Sequence, residues 1–135
     1  MSEPLLRKVD AVTVPVPDLD SGLAFYRDRL GHELRWRDDT TGHAAVALPD
    51  SDTELVLTTR HGYEPNWLVE SVPDAVTRLV EAGATVLADP TDIAVGRLAV
   101  VRDPFGNALV LLDLSKGTYR VDADGQVTGV DDSGH

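Results

Sequence analysis

The chain has 135 residues, 42% of them hydrophobic, a formal net charge of −11 and no cysteine. That length suits one domain with a real core rather than two ordinary ones. The acidic balance argues against nucleic acid, the missing cysteine excludes disulfides and thiolate chemistry, and no apolar run is long enough to span a bilayer.

Residues 9–16 place Val9, Val12, Val14 and Val16 among Asp10, Thr13 and Pro15, the pattern of a strand. Pro15 and Pro17 donate nothing to a ladder and mark its edge or end. Asp18 or Ser21 can cap a following helix, on which Leu19, Leu23, Tyr26 and Leu30 form one apolar face. Phe25 and Tyr26 are read as helix-to-sheet packing, and Gly31 suits the residue just past the helix end. Residues 32–37 read as a strand with Leu34 and Trp36 on one face. After a turn at 38–42, strands at 44–48 and 54–58 flank a loop at 49–52.

After a linker at 60–65 the order repeats. Residues 67–69 read as a short strand, and Ser71 caps a helix carrying Val72, Val76, Leu79 and Val80, with Pro73 in its first turn. Gly83 ends that helix as Gly31 ends the first, and residues 85–87 resume as a strand. Val16-Pro17-Asp18 and Val72-Pro73-Asp74 match literally at an offset of 56, but that register shortens the second helix. An offset of 53, setting Val16 against Val69, keeps both helices whole and brings Gly31 and Gly83 within one residue of register. The plan is β-α-β-β-β, twice.

Residues 96–112 form two apolar runs around Asp103-Pro104-Phe105-Gly106-Asn107, a hairpin. Beyond residue 115 the chain is polar and acidic; 119–121 and 126–128 flank Asp124-Gly125 and suggest a small extra ribbon, with disorder expected over 131–135. Asp122-Ala123-Asp124-Gly125 lacks the closing glutamate of a calcium loop.

The Arg102-Asp103-Pro104-x-Gly106-Asn107 turn, following a helix that ends in Ala82-Gly83-Ala84, resembles the vicinal oxygen chelate superfamily of glyoxalase I, extradiol dioxygenases, and fosfomycin- and bleomycin-resistance proteins. The resemblance implies an α+β fold in which two βαβββ modules form a curved mixed β-sheet with a concave pocket. It sets module one at 8–60 and module two at 64–115 of a single domain spanning 1–115, followed by an extension, 116–135, that is partly disordered.

The metal-dependent members that this sequence resembles take one ligand from each of four strands. Carried over, those positions fall on Ala11, Glu54, Val110, and Glu64 or, in the other register, Trp67. Ala11 and Val110 bring no donor, so only Glu54 and Glu64 remain as weak metal candidates and no cofactor is expected. Of the histidines, His32 follows a helix, His61 lies in the linker and His135 ends the chain; His43 alone opens a strand that could face a pocket. Glu54, Val56 and Thr58 share a strand face, and the only tryptophans, Trp36 and Trp67, fall on strands whose counterparts line the pocket in the family.

The expected pocket is therefore Trp36, His43, Glu54, Val56, Trp67 and Val110. The resemblance implies a metal-free small-molecule-binding protein of the bleomycin-resistance type that sequesters an aromatic or cationic ligand. A homodimer is expected, with neither nucleic acid nor membrane as partner, in the cytoplasm. The alternative is a divalent-metal-dependent lyase, isomerase or dioxygenase of the same superfamily, and a third reading is an interaction module with no ligand.

Overall fold

Two helices start where short polar side chains can satisfy orphan amides. The computed structural model describes residues 3–131. In it the Asp18 carboxylate accepts the Ser21 N–H at 2.7 Å and opens α1 (Leu19–Leu23). The Ser71 hydroxyl accepts the Asp74 N–H and opens α2 (Val72–Glu81), with Pro73 near its start. The chain forms two compact units, one built on Asp10–Pro65 with Tyr119–Gly129 and one on Asn66–Thr118. Each holds a four-stranded mixed sheet with one helix segment, so the fold is α+β.

Module one contains β1 (Lys8–Pro15), α1, β2 (Leu34–Asp38), β3 (His43–Leu48) and β4 (Ser51–Thr58), with its strands in the order β2-β3-β4-β1. β1 runs parallel to β4 and the other pairs are antiparallel. One sheet face packs Val14, Ala44, Val46 and Leu57 under Leu19 and Leu23, with Leu34 and Tyr26 at the margin.

The helix does not finish as an α-helix. Residues Ala24–Arg29 widen into a π-helical segment, the Leu30 N–H reaching the Phe25 carbonyl, before Gly31 reverses the chain at φ 85°. The wider turn rotates the apolar stripe, which corrects two expectations. Leu30 and Phe25 are about half exposed instead of packed on the sheet, and of the π-helical segment Tyr26 packs against the core that Leu19 and Leu23 enter.

Module two contains β5 (Glu64–Leu68), α2, β6 (Thr85–Ile93), β7 (Gly96–Arg102) and β8 (Ala108–Asp113), in the order β5-β8-β7-β6. Its core sets Val69, Val72, Ala75, Ala99, Val101 and Leu111 together. β6 runs six residues beyond the strand read from sequence, because its far end continues to pair with β7 through two register irregularities. In the hairpin turn the Asp103 carboxylate accepts the Phe105 and Asn107 N–H groups at 2.8 and 2.9 Å, with Gly106 at φ 93°.

The buried Asp113 anchors this module. Its carboxylate accepts the N–H of Val72 at 2.7 Å, that of Arg97 at 3.0 Å and the Ser115 hydroxyl at 2.7 Å. Burial raises its affinity for a proton, but these donors together outweigh that and hold its pKa below the ordinary value. Gly96 lies so close that a side chain there would overlap the Asp113 carbonyl.

Hydrogen bonds fix how the modules correspond. The Val16 N–H reaches the Thr58 carbonyl, and the Val69 N–H reaches the Leu112 carbonyl. With the two helix caps at Asp18 and Ser71, this establishes the offset of 53 over the literal match. After module two, β9 (Thr118–Val121) and β10 (Val127–Asp131) form a two-stranded ribbon. Asp131 is the last residue of β10; the rest of the segment expected to be disordered lies outside the described residues. Among the described residues no helix is long and apolar enough to cross a membrane.

Candidate ligand-binding site

A register fault builds the site. Leu34 pairs with Val46, but Trp36 pairs with Ala45, so β2 carries one residue more than β3 between the two pairs. A bulge of this kind reverses which face the following side chains take. Leu34 stays on the helix side and Trp36 crosses to the other, so the expectation that they share a face is corrected. The tryptophan packs against Ala11, Ala45 and Val56, three buried residues with small side chains.

Strand pairing fills in the rest of this face. Ala11 sits opposite Glu54, Thr13 opposite Val56, Ala45 opposite Val56 and His43 opposite Thr58. Cross-strand partners share a face, so Trp36, His43, Glu54, Val56 and Thr58 come together on the side away from α1. Glu54 Oε1 accepts the Trp36 indole N–H at 3.1 Å, which fixes the ring in its plane. Thr13 donates its hydroxyl to the Gly62 carbonyl at 2.7 Å and so ties the following loop to β1.

At one end of this face lies a histidine pair that the sequence did not suggest. The buried Thr58 hydroxyl accepts the N–H groups of Arg60 and His61, turning the chain so that the His61 ring stacks on His43, centroids 5.3 Å apart. Burial, then His61 and Arg60, lower the His43 pKa against a smaller opposing pull from Asp38.

At the other end is Tyr119 of β9, whose ring sits on Trp36 with centroids 4.6 Å apart and planes tilted by 45°. Burial raises its pKa, and the charges of Asp38 and Glu54 raise it further. The face thus pairs aromatic surface with negative potential. Sequence reading did not connect Tyr119 to Trp36, because a ribbon 83 positions away leaves no local trace of where it docks.

The remaining predicted residues lie in module two or at its start. Trp67, partly buried, packs against the core beneath α2 and pairs with Leu111 in β8. Val110 is buried on the opposite side of its sheet, paired with Asn66 and Val100. Glu64 opens β5, and its carbonyl lies 3.2 Å from the Thr13 hydroxyl. A shallow groove lined by Leu5, Arg7, Ser71 and Asp74 is also present and contains none of the predicted residues.

The donor set does not fit the four-strand metal centre that the family resemblance implies. The Ala11 and Val110 side chains bring no donor atom to the first- and last-strand positions, and Glu54 Oε1 accepts the indole N–H. Among the described residues no three His, Asp or Glu side chains lie close enough to share an ion.

The Glyoxalase/Bleomycin resistance protein/Dioxygenase superfamily model matches residues 8–111. Among solved structures, the chain is similar to methylmalonyl-CoA epimerase from Mycobacterium tuberculosis, with 21% identity over 84% of this chain and 91% of that one and a TM-score of 0.63. It is similar to the hypothetical protein BH1468 from Bacillus halodurans at 15% identity, 78% and 93% coverage and a TM-score of 0.64. A variant methylmalonyl-CoA epimerase from Streptomyces coelicolor, in complex with 2-nitronate-propionyl-CoA, matches at 20% identity, 80% and 97% coverage and a TM-score of 0.62. Similarity at these identities concerns the fold. Comparison with curated proteins gives no match.

Proposed function

The chain belongs to the Glyoxalase/Bleomycin resistance protein/Dioxygenase superfamily, and on that premise we propose that it binds and sequesters a planar aromatic, cationic small molecule without a metal. The observation that carries this reading is Trp36, packed against Ala11, Ala45 and Val56 with its N–H held by Glu54. A fixed indole face beside carboxylates attracts a delocalised cation by stacking and by charge together. The net charge of −11 adds long-range attraction for such a ligand.

The proposal includes action as a homodimer in the cytoplasm. The metal-dependent enzyme reading loses support from the donor set, since two of its four positions are alanine and valine.

The test is thermal denaturation with 9-aminoacridine, a planar cation, and anthracene-9-carboxylate, a planar anion, alongside metal analysis of the purified protein. At 100 times its Kd the cation stabilises by about 2.7 kcal/mol and raises the melting temperature by several degrees, while the anion does not. One tightly held divalent ion per chain, stabilising when restored after chelation, overturns the proposal in favour of the enzyme. Light scattering reads the dimer.

A further inference from the structure

We propose that the C-terminal ribbon is a built-in competitor for the Trp36 face, with the Tyr119 ring standing where a ligand ring stacks, so that binding requires the ribbon to swing aside. The inference rests on the binding function proposed above. Three observations carry it.

The first is geometric. Tyr119 contacts the indole at 4.6 Å between centroids, which leaves no room for a second flat molecule on that side of the ring. An aromatic ring on Trp36 near Glu54 and Asp38 is also what the site would select from solution, and the chain supplies one itself.

The second is that the ribbon is internally complete. The Asp122 N–H bonds the Gln126 carbonyl, the Asp122 carboxylate accepts the N–H groups of Asp124 and Gln126, and Thr128 donates to the Arg120 carbonyl. It therefore keeps its own turn when it moves. To β2 it is joined by the Arg37 N–H, which donates to the Gly125 carbonyl at 2.7 Å, and by a bridge between Arg37 and Gln126. Gly125, at φ 82°, sits against the Leu34 side chain where a Cβ would press on it.

The third is that the ribbon lies beyond the 8–111 segment matching the family model. It is an addition to the shared modules, and a part outside the scaffold can move without disturbing it. Gly117, at φ 129° just before β9, gives the chain a pivot that no other residue type adopts comfortably.

The experiment uses the full chain carrying Trp67→Phe, so that fluorescence reports Trp36 alone. Without ligand, Tyr119→Ala is expected to increase acrylamide quenching of Trp36 at least twofold. Gly125→Ala, which strains the φ 82° turn and presses a methyl on Leu34 while leaving the tyrosine in the chain, loosens the ribbon and shifts quenching the same way. With 9-aminoacridine, both variants lower Kd at least fivefold, and saturating the unsubstituted chain accelerates hydrogen exchange at the Arg37 amide. If 9-aminoacridine binds with the same Kd in all forms, the competitor role falls and the binding function stands. Weaker binding in Tyr119→Ala also overturns it, by making the ring a wall of the site. No binding in any form removes the binding function and this inference with it.

Discussion

Modules one and two share a backbone plan and differ in what they put on it. At matching points of the ladders, Trp36 in module one corresponds to Ala88 in module two, Ala45 to Val100, Val56 to Val110, and Thr13 to Asn66. By the same register Glu54 corresponds to Ala108, and Ala11 to Glu64. Module one thus has an aromatic ring, a carboxylate and a floor of small residues. Module two has an alanine, two valines and a buried Asp113 that serves its own backbone. One copy has specialised in presenting a face and the other in holding itself together.

Substitutions in the two modules are expected to have different signatures. The largest stability loss is expected from Asp113→Ala, which strands the Val72 N–H and the other groups it accepts from. Urea denaturation should show a loss of about 3 kcal/mol, with ligand affinity in the folded protein little changed. Trp36→Ala comes next, at about 2 kcal/mol for a half-buried ring, and it also abolishes 9-aminoacridine binding by titration. A Trp36→Ala variant that binds normally would end the claim that module one is the functional half.

Two smaller effects sharpen the contrast. His43 has a lowered pKa in the folded state, so the unfolded chain binds more protons just below the ordinary histidine pKa of about 6.5. Stability attached to this group is therefore present above that pH and declines as the pH falls through it. His43→Asn is expected to flatten the denaturation midpoint between pH 7 and 5, above the range where the carboxylates titrate. The smallest stability change, within about 0.5 kcal/mol, is expected for Glu54→Gln. That variant keeps an acceptor for the indole while removing the charge, so it weakens binding of the cation without unfolding the site.

What could be read beforehand was what is written locally. Asp18, Ser71, Gly31 and the Asp103–Asn107 turn act on neighbours within a few residues, and each sits where its chemistry placed it. The duplicated order of elements followed from them. Three features depended on partners far along the chain. Nothing in Leu34-Arg35-Trp36 distinguishes a bulge from plain alternation, because the extra residue exists only relative to β3. Trp67 looks like Trp36 in sequence, and only pairing with Leu111 shows that it faces the core. The stacking of Tyr119 on Trp36 and of His61 on His43 is set by how the ribbon and a loop return to the sheet.

The bulge in β2 has a counterpart. Between Val86 and Ala88, β6 also slips by one residue against β7, at the point that corresponds to Leu34 and Trp36. An irregularity present in both copies at one address is most simply older than the split between them, inherited from a single ancestral half-molecule. The halves have since diverged in length as well as in side chains: between matching points the β6–β7 hairpin is three residues longer than β2–β3. The shared slip leaves Ala88 and Ala108 of module two at the addresses that Trp36 and Glu54 hold in module one, each a single exchange away from the ring and the carboxylate.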